Sequence, residues 1–130
     1  MVVRDGEVIV IVPARRSGHG DKVLGLPKGH PDGDESELEA AIREVREETG
    51  VDADPVEKLG EIEYTYERKG QPVLKRVAFY LFEYRSGELA PDHEIETASW
   101  MPLEQAATAL SFEGEREMVA RALARYVQDR

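Results

Sequence analysis

The chain opens on two short β-branched runs, Val2 to Arg4 and Glu7 to Pro13, separated by Asp5-Gly6. Apolar runs of this length around an Asp-Gly pair predict a hairpin closed by a tight turn. Residues Arg16 to Asp21 (RSGHGD) carry no hydrophobic period and read as a loop. Lys22 to Leu26 is expected to be a short strand ending at Pro27, and Lys28 to Asp34, rich in Gly, Pro and Asp, a second loop. The period then changes. Leu38, Ala41, Ile42 and Val45 recur at helical spacing and place one apolar stripe on a helix from Ser36 to Thr49. Ser36 with Glu39 forms a capping-box pattern at its start, and Gly50 supplies the stop. Downstream, Ile62 to Glu67 and Val73 to Tyr84 flank Lys69-Gly70-Gln71 as a long hairpin, and Ala98 to Met101 reads as a further strand. Two helices close the chain, Leu103 to Leu110 and Phe112 to Gln128, the second with Val119, Ala122, Leu123 and Tyr126 on its buried side. Mixed strands with a central and a C-terminal helix predict an α/β fold, a sheet covered on both faces.

Composition narrows the class. At 130 residues the chain fits one domain, 1–130, large enough to bury a core without staples. A hydrophobic fraction of 41% beside 34% charged residues is a globular balance. No stretch approaches the ~20 apolar residues of a membrane span, and no basic-then-apolar leader opens the chain. Cysteine is absent, which removes disulfides and thiolate metal sites and makes the cytoplasm the default compartment. A net charge of −10 argues against a nucleic-acid partner, because phosphate backbones reward a basic surface. An anionic small molecule stays open, given local help from a bound metal or a few placed Lys and Arg side chains. Nothing in the sequence separates a monomer from a homodimer.

The segment Gly29 to Val51, GHPDGDESELEAAIREVREETGV, carries the chemistry. Helical residues three and four apart are neighbours, with Cβ atoms roughly 5–6 Å apart, so Glu44, Glu47 and Glu48 present three carboxylates within about one turn. At ~100° per residue, Glu44 and Glu48 share one edge of the apolar stripe and point toward the preceding loop, whereas Glu47 lies further out. Like charges this close repel unless something neutralises them. A hard divalent cation is the natural answer: magnesium takes one or two carboxylates, keeps waters, and accepts the rest from substrate phosphates. At Gly29 the loop backbone can approach closely, which makes its carbonyl a candidate ligand. Arg43, one turn before Glu47, is placed to hold that carboxylate through a charge-assisted pair.

Gly29, Glu35, Arg43, Glu44, Val45, Glu47, Glu48, Gly50 and Val51 match the Nudix box at every fixed position, and the segment resembles the Nudix hydrolases. At ordinary residue frequencies a chance match is on the order of 1 in 10⁹ per starting point. The resemblance implies an α/β/α sandwich with a mixed β-sheet and a loop–helix metal site. It implies Mg2+ (with Mn2+ as a substitute) on Gly29, Glu44, Glu47 and Glu48, with Glu47 and Glu48 tied to water activation and Glu35 and Arg43 fixing the loop onto the helix. The likeness continues outside the box. LPKGH (Leu26 to His30), KRVAFYLFEY (Lys75 to Tyr84) and HEIETASW (His93 to Trp100) are similar to the diadenosine polyphosphate hydrolase branch. By that similarity Glu94 faces the metals as an extra ligand or general base, Lys28 and Lys75 face phosphates, and Tyr66 or Phe79 stacks on a base. One departure is that members usually open on a Gly-rich stretch before the first strand, and this chain starts at Met1-Val2-Val3.

Each of these residues has a plainer reading. An acidic helix face is ordinarily solvated surface, but the full spaced pattern from Gly29 outweighs that here. Glu94 is evenly balanced between function and surface. Tyr64, Tyr66, Phe79 and Tyr80 fit strands anyway, so packing accounts for at least half of them. Trp100 reads as core, and no His spacing suggests zinc. The expected reaction is magnesium-dependent hydrolysis of a phosphoanhydride in a nucleoside diphosphate linked to another moiety, first a dinucleoside polyphosphate such as diadenosine tetraphosphate. Alternatives within the family are a nucleoside triphosphate (oxidised deoxynucleotide) or a diphosphoinositol polyphosphate. An alternative of another class is a nucleotide-binding module without turnover.

Overall fold

A computed structural model of the protein describes residues 1–14 and 22–128, from 126 onward by backbone alone. The expected loop Arg16 to Asp21 and the side chain of Tyr126 lie outside the described residues. The elements in chain order are β1 (Val2–Arg4), β2 (Glu7–Pro13), α1 (Glu37–Thr49), β3 (Asp52–Arg68), β4 (Gln71–Ser86), β5 (Ile95–Pro102), α2 (Leu103–Ala109) and α3 (Glu113–Gln128). The five strands form one sheet in the order β3-β4-β1-β2-β5. β1 runs parallel to β4 and every other pair is antiparallel, so the sheet is mixed, as expected.

Alternation along the central strands sends side chains into two separate cores. Val3, Val8, Val77, Phe79 and Leu81 meet α2 and α3 on one face, while Val2, Ile9 and Phe82 meet α1 on the other. That is an α/β/α sandwich. Both hairpin turns carry positive φ at their two central residues, Asp5-Gly6 (49° and 81°) and Lys69-Gly70 (53° and 76°), the twist-matched two-residue turn.

Three differences from the sequence expectations have physical causes. β3 begins ten residues before Ile62, through a polar stretch containing Pro55. It is an edge strand, where Pro costs no ladder bond and charged side chains guard the open edge, and its pairing slips around Val56 and Leu59. Lys22 to Leu26 forms only an isolated bridge, Ile11 to Gly25. The N–H groups on either side leave the sheet: that of Leu24 donates to Ser111 Oγ and that of Leu26 to Glu115. Third, Ile42 is 42% exposed, while Ala40 and Thr49 are buried. The helix is rotated so that its Glu44–Glu48 edge turns inward under the preceding loop, and Ile42, on the opposite edge of the stripe, faces out.

Candidate active site

The capping box forms as the spacing requires: Ser36 Oγ accepts from Glu39 N at 3.1 Å and Glu39 Oε1 accepts from Ser36 N at 3.0 Å. At the other end Gly50 adopts a left-handed φ of 82°, where a Cβ would also meet the backbone of Ala90 at 2.7 Å. The chain after β4 docks onto this helix end. Ala90 N donates to Thr49 O at 2.9 Å and Asp92 N to Glu47 O at 3.0 Å, satisfying carbonyls that a helix terminus leaves open. The docking carries Glu94 to the α1 carboxylates.

The loop before α1 is held by Arg43. Its guanidinium donates to Glu35 from Nε at 2.9 Å and from Nη2 at 3.1 Å, to His30 O at 3.0 Å, to Glu44 at 2.7 Å and to Glu47 at 3.1 Å. Glu35 in turn accepts from Asp32 N at 2.8 Å. Loop and helix are thus joined through one cation, and the Arg43 bond first, with that backbone bond, lowers the Glu35 pKa.

Glu48 accepts from Lys28 N at 2.7 Å, and the charge of Glu44 acts on its carboxyl. A Cβ on Gly29 would overlap the Glu44 carboxyl group, so only glycine leaves that space to the carboxylate. Glu47 is the outer member, its side chain 48% exposed against 17% for Glu44. Among the described residues no three acidic or histidine groups already converge as a metal cage. Arg43 is the cation paired with both Glu44 and Glu47. The donor set nevertheless fits a hard divalent ion: two inward carboxylates on one helix edge, a third beside them, and the Gly29 backbone pressed against Glu44.

The electrostatics point the same way. Burial first, then the charge of Glu44, pushes the Glu48 pKa up to about 8, and burial also raises that of Glu44. A carboxyl whose folded pKa is raised stabilises the fold fully below the unfolded value near 4.5, and that contribution is lost as pH rises through about 8. In chelator, the melting temperature is therefore expected to fall between pH 6 and pH 9, and magnesium to restore more of it at pH 9. Thermal unfolding at both pH values with and without magnesium checks this. An equal magnesium shift at the two would mean that the ion does not engage Glu48.

Two clefts flank Glu48. One, of about 450 Å³, is lined by Pro13, Ala14, Glu48, His93, Glu94 and Ile95. The other, of about 220 Å³, is lined among others by Lys28, Gly29, Glu48, Tyr64 and Lys75. The structure thus brings Glu94 beside Glu48 on one side and both predicted lysines beside it on the other. Burial, reinforced by Lys28 and opposed by Glu44, lowers the Lys75 pKa. Phe79 is a correction: only 2% exposed in the core between the sheet and α2–α3, its ring offers a base no free face. Tyr66 is 44% exposed on the same strand face as Tyr64, one pleat (~7 Å) further out. Sequence reasoning gives Tyr64 no site role, although it lines the lysine cleft, and it misses Glu115, wholly buried behind that cleft.

Comparison with known proteins extends these observations. A family model described as the NUDIX domain matches residues 1–122. A putative mutator protein, MutT4, of Mycobacterium tuberculosis is 34% identical over 116 residues, covering 88% of this chain and 46% of the relative. The mouse asymmetrical bis(5'-nucleosyl)-tetraphosphatase is 34% identical over 90 residues, covering 66% of this chain and 60% of the relative. The chain therefore spans less than two thirds of the length of either. A crystal structure of a Caenorhabditis elegans Ap4A hydrolase binary complex superposes with a TM-score of 0.73 at 25% identity, covering 94% of this chain and 87% of that one.

Proposed function

The chain belongs to the Nudix family, and from that premise we propose that residues 1–130 form one Nudix domain acting as a magnesium-dependent hydrolase of a dinucleoside polyphosphate. The observation that carries the reading is the position of Glu48 between two clefts, one bearing Lys28 and Lys75, the other Glu94. A substrate with a polyphosphate bridge and a group at each end suits such a layout, its bridge across the carboxylates and its ends in the two clefts. The likeness to the mouse and nematode proteins supports the same substrate class.

Glu44 and Glu48, with Glu47 and the Gly29 carbonyl, would hold Mg2+, or Mn2+ in its place. When bound, the ion supplies charge to the bridging phosphates and acidifies a water. The protein's own groups do the rest. Lys28 and Lys75 offset phosphate charge along one cleft wall, Arg43 and Glu35 keep the loop against the helix, and Tyr66 offers a ring on which a base can stack, worth ~1–3 kcal/mol in comparable contacts. A water oxygen forms a bond to phosphorus, the anhydride P–O bond breaks, and the electron pair leaves with the departing phosphate. The water's proton passes to a carboxylate. Glu94 suits this role, because Glu44 and Glu47 are held by Arg43 and Glu48 by Lys28 N.

A panel of nucleotides incubated with magnesium and resolved by anion exchange tests the reading. Diadenosine tetraphosphate is expected to turn over and to yield ATP as one product of asymmetric cleavage. The similarity to the mutator-named relative favours a second reading, hydrolysis of an oxidised nucleoside triphosphate. Turnover confined to 8-oxo-dGTP would select it. No product from any nucleotide at any magnesium level would point instead to a binding module.

A further inference from the structure

Glu115 lies in the first turn of α3, remote in sequence from the α1 carboxylates and from Lys28, yet it is 0% exposed and fully bonded. Its Oε1 accepts from Leu26 N at 2.7 Å, and its Oε2 accepts from Tyr64 Oη at 2.8 Å and pairs with Lys28 Nζ at 3.1 Å. Room for this pair is left by Gly25, where a Cβ would stand 3.1 Å from both Glu115 Oε1 and Lys28 Nζ. The ammonium also lies 5.8 Å from the Tyr64 ring centroid and 5.4 Å from that of Phe112, two rings packed edge to face.

A carboxylate taken wholly out of water carries a desolvation penalty of several kcal/mol, and apolar side chains often dock a helix as well or better. Docking α3 therefore does not account for a charge at this position. Its cation partner is a better guide. Lys28 is not sealed in the core: its side chain is 22% exposed and lines the cleft shared by Glu48 and Lys75. Its backbone N–H is bonded to Glu48 and its ammonium to Glu115, so the residue is clamped at both ends. A free lysine stem samples many rotamers, an entropy that ligand binding would otherwise have to remove. Lys75, which lines the same cleft, is the cross-strand partner of Tyr64, so the two residues sit side by side on adjacent strands.

We infer that Glu115 is a positioning residue: with Tyr64 it holds the Lys28 ammonium, in advance of substrate, where it meets a substrate phosphate. The inference rests on the reading above that this cleft receives phosphates. Positioning and charge act with opposite signs here, which makes the idea testable. Removing the Glu115 charge leaves the cleft more positive, so a carboxylate that acted only through its field would weaken anion binding, and its loss would tighten it. A positioning residue predicts the reverse.

The experiment is a double-mutant cycle on the full chain with Glu115→Gln, Lys28→Met and the pair combined. The dissociation constant of inorganic tripolyphosphate in magnesium would be read by calorimetry, and KM and kcat taken on whichever nucleotide of the panel turns over. Each single variant is expected to bind about tenfold more weakly, with KM raised and kcat within about twofold. The double variant should bind no worse than Lys28→Met alone. Binding by Glu115→Gln that equals or exceeds wild type, or a double variant weaker than Lys28→Met by a further tenfold, would overturn the inference. If Glu115→Gln alone does not fold, the comparison of Lys28→Met with the double variant, in which no buried charge is stranded, decides the matter. A wild-type protein that hydrolyses no nucleotide and binds no tripolyphosphate refutes the cleft reading itself. One that does both while the cycle is additive refutes only the role of Glu115.

Discussion

Glu48→Gln is expected to lower kcat by about 10³-fold while raising the unfolding temperature of the metal-free protein at pH 8. The two effects come from one geometry. Glu48 is inward-facing and anchored on Lys28 N, with burial and then the Glu44 charge pushing its pKa up to about 8. The amide keeps the oxygen that accepts from Lys28 but holds no charge, so the repulsion with Glu44 disappears and the ion-free fold gains. The same change removes a carboxylate from the proposed metal site, and the charge stabilisation that a bound ion supplies there, worth several kcal/mol, corresponds to about 10³-fold in rate. Activity by anion-exchange assay and thermal unfolding in EDTA read the two halves. Turnover at the wild-type rate would show the metal assignment to be wrong. Lost turnover together with a lower melting temperature would mean that the variant had merely damaged the fold.

Gly29→Ala is expected to cost at least 10²-fold in activity and in magnesium affinity with less than about 1 kcal/mol lost in stability. A methyl at this position would sit on the carboxyl end of Glu44. That end is the tip of a flexible side chain, so the fold relieves the clash by moving it, at little cost. The carboxylate then leaves Arg43, at present 2.7 Å away, and Glu48, and the inward pair is broken. Metal titration followed by unfolding temperature, beside the nucleotide assay, separates the outcomes. Unchanged magnesium binding would mean that the position of Glu44 is unimportant to the site. A collapse of stability would mean that the loop, not the carboxylate, needs the glycine.

Local chemistry is well legible in the amino-acid sequence. The α1 boundaries, the Ser36–Glu39 box and the Gly50 stop follow from contacts within four residues, and the structure reproduces each. The same spacing sets Glu44 and Glu48 on one edge and Glu47 outside it, and places Arg43 within reach of Glu47. Hairpins with two-residue turns are readable for the same reason. The placement of aromatic rings is not. Tyr64, Tyr66 and Phe79 all lie on alternating strands, but packing in the core seals Phe79 and half-buries Tyr64 while Tyr66 stays open, and β alternation alone gives no sign of it.

Residue order alone dictates a sheet covered on both faces and the loop–helix carboxylate cluster on which the proposed metal site rests. These are consequences of periodicity and of groups within one helical turn. Long-range packing is what brings Glu94 to the cluster, through the docking of residues 90–92 on the α1 terminus. It also turns Ile42 outward, and it seats Glu115 under Lys28 through bonds spanning 51 and 89 residues to Tyr64 and Leu26. Such pairings depend on how α3 crosses the sheet, and a charged residue in an amphipathic helix carries no local mark distinguishing a solvated carboxylate from one sealed against its partner.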